Sequence, residues 1–137
     1  MKILIDTNVL LDYLSGREPF ATDSTEVIRL CSTEQFDGYV AVHSILNLFF
    51  ILRKSIPDAN QRREKLTELS ELFKLVSIDS DMIRHSLKNN DFKDFEDCVQ
   101  AECAVKAGAD YIITRNIKDF EKSPVKAISP EDFLKGV

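Results

Sequence analysis

Lys2-Ile3-Leu4-Ile5 runs into Asp6-Thr7-Asn8, and Tyr111-Ile112-Ile113 runs into Thr114-Arg115-Asn116-Ile117-Lys118-Asp119. Each apolar run reads as a short buried strand that ends in a loop bearing carboxylate, amide or hydroxyl groups. In an open α/β sheet the carboxyl ends of parallel strands face one crevice, so loops far apart in sequence can meet there. Asp6 is therefore the first residue that a functional reading has to explain.

Outward from these runs the pattern alternates between helix and strand. Val9, Leu10, Asp12, Tyr13 and Leu14 predict a helix with an apolar face, capped by Thr7 or Asn8 and ended by Arg17-Glu18-Pro19. A second helix is expected from Ala21 to Thr33, a turn at Gly38, and a strand from Tyr39 to Val42. From Ser44 to Lys54 apolar groups surround most of the cylinder, as in a helix packed deep or at a subunit interface. An amphipathic helix from Ala59 to Leu72, a strand from Phe73 to Ile78 and a helix from Asp79 to Leu87 follow. After a polar connection, a helix from Phe95 to Ala107 stops at Gly108. The strand Asp110 to Thr114, a short strand near Val125 to Ile128 and a helix opening at Ser129-Pro130-Glu131 complete the pattern. Such alternation indicates an α/β fold with a parallel sheet covered on both faces.

The 137 residues suit one domain, spanning 1–137, and the apolar (44%) and charged (30%) fractions are globular values. No apolar stretch is long enough for a bilayer and no signal-peptide pattern opens the chain, so a cytoplasmic protein is expected. Four glycines, none in a GxGxxG or GxxxxGK arrangement, argue against a nucleotide cofactor. Cys31, Cys98 and Cys103 lack CxxC spacing and read as packed thiols, while His43 and His85 are too few for a histidine-rich metal site. Oxygen ligands are left as the default chemistry. A net charge of -5 gives no general attraction to nucleic acid, though it permits a local basic rim.

Taken singly, the acids are ambiguous. Asp6 can bind a hard divalent cation at the strand end or cap the helix that follows, with Asn8 in support. Asp94 and Asp97 have the spacing of a helix-capping arrangement, which favours a stabilising role for Asp94. Asp97, in the first helical turn, can share a cation with Asp6. The orientation of Glu96 is open, and Glu102 reads as a solvated charge. The loop from Thr114 to Phe120 is rich in polar groups, but Asn and Asp are ordinary turn residues.

The opening Ile-Asp-Thr-Asn-Val-Leu-Leu-Asp, the helix start bearing Asp97, and the segment Gly-Ala-Asp-Tyr-Ile-Ile-Thr-Arg-Asn-Ile-Lys-Asp-Phe occur in an order that resembles a PIN domain. The resemblance implies a three-layer sandwich with central strand order 3-2-1-4-5. It also implies an acidic cluster binding Mg²⁺ or Mn²⁺, and metal-dependent cleavage of RNA or, in some branches, DNA. Small bacterial PIN proteins are often VapC-like ribonuclease toxins that form homodimers and are neutralised by a cognate antitoxin. Asp6 matches the first family acid, Asp97 the acid of the late helix, and Asn116 a position that is often Asp; Asp119 is a nearby candidate for the remaining carboxylate. The chain departs from the pattern at Asn47, where PIN nucleases usually carry Glu. An amide oxygen can bind a metal but adds no charge, so weaker binding is expected. The bland alternative for Asn47 is a buried amide hydrogen-bonded within its helix.

The function expected from this resemblance is a metal-dependent endoribonuclease. Asp6, Asp97 and Asp119, with Asn47 and Asn116, would hold Mg²⁺ or Mn²⁺. Thr7, Asn8, Asp94 and Thr114 would support them, and Arg53, Arg115 and Lys118 would contact RNA phosphates. Asn47 motivates a rival from another class, a PIN-like nucleic-acid-binding or regulatory module with little catalytic power. A receiver-like phosphoacceptor domain would need an acidic pair at the end of the first strand, where this chain has Asp6 alone. Leu46, Leu48, Phe49, Phe50, Ile51 and Leu52 together suggest a homodimer surface.

Overall fold

The computed structural model describes residues 1–137. In chain order its elements are β1 (Lys2–Ile5), α1 (Thr7–Ser15), α2 (Phe20–Ser32), β2 (Asp37–Ala41), α3 (Val42–Ile51), α4 (Ala59–Leu72), β3 (Lys74–Val76), α5 (Ser80–Lys88), α6 (Phe95–Ala107), β4 (Tyr111–Ile113), a short 3-10 turn (Ile117–Phe120), β5 (Lys126–Ile128) and α7 (Pro130–Lys135). The strands form one parallel sheet in the order β3-β2-β1-β4-β5, as the resemblance implied. Leu4 of β1 pairs with Tyr39 on one side and Ile112 on the other.

Central placement explains why β1 is continuously apolar. Side chains alternate across a strand, so Ile3 and Ile5 enter one core and Leu4 the other. The first core joins them to Val9, Leu10, Val27, Leu48, Leu66 and Phe133, from the layer formed by α1 to α4 and α7. The second packs Leu4 and Ile112 against Val99, Ala101 and Ala104 of α6, with Met82 and Ile83 of α5 alongside. Cys31 and Cys103 are buried free thiols, and burial pushes both up to about 12, so they stay protonated.

Several boundaries differ from the sequence reading for identifiable reasons. Asp6 caps α1, in place of Thr7 or Asn8, and Gly16 ends it in the left-handed region at φ 67°, before Arg17-Glu18-Pro19 is reached. Gly38 lies inside β2 and not in a turn. A Cβ there would stand 2.6 Å from the ring of Phe73 and 3.0 Å from Cys31 Sγ, so the strand approaches α2 and α4 only without one. Phe73 is buried and cannot retreat. Gly38→Ala is therefore expected to destabilise the protein by about 1–3 kcal/mol through overpacking. Urea unfolding measures this directly; an unchanged midpoint would contradict the packing described.

α3 begins immediately after β2, with Ala41 as its uncapped first boundary, and so carries His43 and Ser44 to the carboxyl edge of the sheet. Of the six residues read as a dimer surface, Leu48 and Leu52 are fully buried and belong to the core. Leu46, Phe50 and Ile51 remain exposed, at 67%, 62% and 45%, so the apolar surface is half the expected size. No helix is long and apolar enough to cross a membrane.

Candidate active site

At the carboxyl edge of β1, Asp6 is only 3% exposed and its two oxygens have different work. Oδ1 accepts the Thr7 backbone N–H at 2.7 Å, capping α1, while Oδ2 accepts the Thr114 hydroxyl at 2.8 Å. Cap and site are thus compatible roles of one carboxylate. Asn8 donates to Asp6 Oδ2 at 3.4 Å and to Thr114 Oγ1 at 3.3 Å, and its own Oδ1 accepts the Arg115 N–H at 3.3 Å. These bonds stitch the loop after β4 to the loop after β1. Asn8 and Thr114 are therefore both tied to the Asp6 carboxylate.

α6 delivers the remaining acids. Asp94 caps it, accepting the Asp97 N–H at 3.1 Å, and Asp97 itself is buried. Ligand oxygens of Asp94, Glu96 and Asp97 all lie within 4.8 Å of one another. Burial pushes the Asp6 carboxyl up to about 6, and the charge of Glu96 adds to the effect. Asp97 is pushed up to about 8, first by burial and then by the charges of Asp6, Asp94, Glu96 and Asp119. Asp6 and Asp119 thus act on Asp97 through charge, while the acids whose oxygens lie close together are Asp94, Glu96 and Asp97; Asp119 is an exposed residue of the 3-10 turn. Asn116 caps that turn with its side chain exposed, and its N–H donates to Thr114 Oγ1 at 3.1 Å.

Sequence reasoning missed the polar group between α3 and α6. Gln100, fully buried, donates from Nε2 to Thr7 Oγ1 at 3.1 Å, Ser44 Oγ at 2.9 Å and Glu96 Oε1 at 3.2 Å. The Thr7 and Ser44 hydroxyls are 2.7 Å apart, and His43 Nε2 lies 2.8 Å from Glu96 Oε1. A signal was available: His43-Ser44 follows an apolar strand as Asp6-Thr7 does, and Glu96 and Gln100 are one helical turn apart.

Other expected site residues fall differently. Asn47 is exposed one turn beyond His43, which removes the reading of it as a buried amide. Arg53 donates to the Phe50 carbonyl at 2.8 Å beyond the far end of α3, roughly 15 Å along the helix from His43 at the ordinary rise per residue. Arg115 is engaged within the protein. Its Nε donates to Asp12 Oδ2 at 2.5 Å and its guanidinium lies 4.1 Å from the centre of the Phe20 ring. Lys118 stays exposed beside Asp119. Glu102, read as a solvated charge, is paired with His85.

The three grouped acids offer carboxylate oxygens, with the His43 imidazole beside Glu96 and no thiolate, a set that suits a hard divalent cation. The raised carboxyls of Asp6, lifted by burial and Glu96, and of Asp97, lifted by burial and its acidic neighbours, say the same: such carboxylates become easier to ionise when positive charge joins them. A measurable consequence follows for the metal-free protein. An acid whose pKa is higher folded than unfolded contributes stability at low pH and loses it as pH rises through the folded value. Stability is therefore expected to fall from about pH 4, through about 6 for Asp6 and about 8 for Asp97. For Asp6 alone, the rise from 3.8 to about 6 amounts to about 3 kcal/mol. Thermal melts across this range measure it, with Mg²⁺ expected to recover the loss; stability that rises with pH would contradict it.

Comparison with known proteins agrees with this geometry. Residues 2–118 match the PIN domain family. Over 136 residues the chain is 23% identical to Ribonuclease VapC1 of Aquifex aeolicus, covering 96% of this chain and 92% of that one. Among solved structures it is similar to VapC20 of Mycobacterium tuberculosis, a Sarcin-Ricin loop cleaving toxin, with TM-score 0.70, 13% identity and coverage of 93% and 99% of the two chains. FitAcB from Neisseria gonorrhoeae gives TM-score 0.69 at 21% identity, with 94% and 98% covered. With that match spanning β1 through the loop after β4, and with the acids gathered at the carboxyl edge of a 3-2-1-4-5 sheet, the chain belongs to the PIN domain family.

Proposed function

We propose that this chain is a cytoplasmic, divalent-metal-dependent endoribonuclease, acting as one PIN domain over residues 1–137 and as the toxin of a toxin–antitoxin pair. The observation that supports the reading is the pair of buried carboxylates Asp6 and Asp97 beside the carboxyl edge of the sheet, with oxygens of Asp94 and Glu96 within 4.8 Å of Asp97. The relative named Ribonuclease VapC1 and the structural neighbour described as a Sarcin-Ricin loop cleaving toxin support RNA as the substrate class. A further neighbour, a toxin–antitoxin complex from Klebsiella pneumoniae, supports an antitoxin as partner.

In this reading Asp6, Asp97 and Asp119, assisted by the Asn116 amide, hold Mg²⁺ or Mn²⁺. A bound ion supplies charge neutralisation at a phosphate and a lowered pKa for water, the requirements for in-line hydrolysis of a phosphodiester. The chain's own contribution is placement. Thr7, Asn8 and Thr114 fix the Asp6 carboxylate, Asp94 fixes the first turn of α6, and the exposed Lys118 would meet a flanking phosphate. Leu46, Phe50 and Ile51 form the remaining apolar surface for a homodimer.

Incubating the purified protein with single-stranded RNA in Mg²⁺, Mn²⁺ or chelator tests the reading. Internal cleavage confined to the metal-containing samples is expected. Cleavage that persists in chelator, or none with either ion, would overturn it.

A further inference from the structure

We infer that the cavity between the starts of α2 and α7 and the loop after β4 is a binding site for an unpaired guanine base, so that RNA is cut beside guanine. The site deepens the endoribonuclease reading above, on which its role in cleavage rests, by naming the base that is selected.

The cavity has a volume of about 610 Å³, within the range of about 300–1,000 Å³ found for small-ligand sites. It begins one residue beyond Thr114, whose hydroxyl donates to Asp6 Oδ2 at 2.8 Å, because Arg115 forms part of its wall. A nucleotide seated there is therefore a neighbour of the one held at the strand ends.

Arg115 is presented in a fixed orientation. Its Nε and Nη2 donate to the fully buried Asp12, and its guanidinium lies 4.1 Å from the centre of the Phe20 ring. Those bonds leave Nη1 as the donor for a ligand. Phe20, which also lines the cavity, is 39% exposed. Unpaired bases stack on aromatic rings and on guanidinium planes alike, so this Arg–Phe pair is a platform for one.

Asp23 and Glu131 supply the acceptors. Glu131 Oε1 stands 3.3 Å from Lys135 Nζ, with both side chains largely in solvent. Two carboxylates and one guanidinium nitrogen amount to two acceptors and a donor. Of the four RNA bases only guanine presents the matching edge, with N1–H and the N2 amino group donating beside the O6 acceptor. Adenine and cytosine each bring one amino group among acceptors, and uracil one N–H between two carbonyls. The paired carboxylates also repel a phosphate, so the base and not the backbone enters. In the competing account the acids have no ligand. Each lies in the first turn of its helix, where negative charge offsets the macrodipole.

Titrating GMP, AMP, CMP and UMP into the full chain in chelator, followed through the Arg115 Nε–H resonance, separates the two accounts. GMP is expected to bind at least about tenfold more tightly than the others, and Asp23→Ala and Glu131→Ala are each expected to reduce that preference. Equal binding of all four nucleotides, no binding of any at millimolar concentration, or a preference unchanged in both variants would overturn the guanine site. An arginine-rich peptide that moves the resonance where GMP does not would overturn it in favour of a basic peptide as occupant. Mapping the ends of RNA cut in Mn²⁺ distinguishes this failure from that of the endoribonuclease reading. Metal-dependent cleavage without enrichment at guanine would overturn the guanine site alone. GMP binding by a protein that cuts no RNA would uphold the site and overturn the endoribonuclease reading.

Discussion

Asp6→Asn is expected to give a protein that is more stable than wild type above neutral pH without metal, and that no longer cleaves RNA. The two effects have one origin. At 3% exposure the Asp6 carboxylate is held in a site that pushes its pKa up to about 6, so keeping it ionised near pH 8 costs about 3 kcal/mol relative to the unfolded chain. Asn removes that charge yet remains a good helix cap, so the bond from the Thr7 N–H survives. Part of the gain is offset because the new amide must face Asn8 and Thr114, leaving a net stabilisation of about 1–2 kcal/mol. The amide cannot replace the anion as a ligand. Activity is expected to fall by more than about a hundredfold, beyond the loss seen when only the support of a ligand is removed. Thermal melts near pH 8 in chelator check the first effect. A variant less stable than wild type there would show that Asp6 is mainly a structural cap.

The second large effect lies away from the acids. Asp12 is fully buried, and its carboxylate receives Arg115 Nε at 2.5 Å and a second guanidinium nitrogen at 3.3 Å. Arg17 stands further off at 3.9 Å. Asp12→Ala leaves the Arg115 guanidinium, only a quarter exposed and stacked on Phe20, without its counter-charge. Breaking a buried pair from one side is strongly destabilising, and about 3 kcal/mol is expected here because Arg115 keeps some contact with water. Arg115 also anchors the start of the loop that carries Asn116 and Asp119, so cleavage should fall although no metal ligand has changed. Urea unfolding together with a cleavage assay measures both; a loss below about 1 kcal/mol would show that the pair is not a structural anchor.

Short-range pattern carried most of the fold. β1 and β4 are continuously apolar because they lie at the middle of a covered parallel sheet, and each ends in polar residues because strand ends face the crevice. That is why Asp6 and Thr114 could be singled out from sequence. What escaped notice depends on contacts between distant segments. Gly38 looked like a turn because its lack of a side chain is needed by Phe73 of a later element. Arg115 looked like a free cation because its partner lies 103 positions earlier, within a helix face that periodicity correctly marked as buried. Glu96 could not be oriented from its own helix, since the groups that hold it include His43 from α3. Leu48 and Leu52 shared the composition of a surface patch, but the path of α3 over the sheet turned them into core. Arg53 stands at the opposite end of α3 from His43, which its sequence position alone did not reveal.

The central claim is that the carboxylates around Asp6 hold the metal that drives RNA cleavage. Its most direct test is the initial rate of RNA cleavage in Mn²⁺ by wild type and Asp6→Asn, purified identically and both shown to be folded. Cleavage by wild type alone, abolished by chelator, is the expected result, and equal rates for the two proteins would contradict the account.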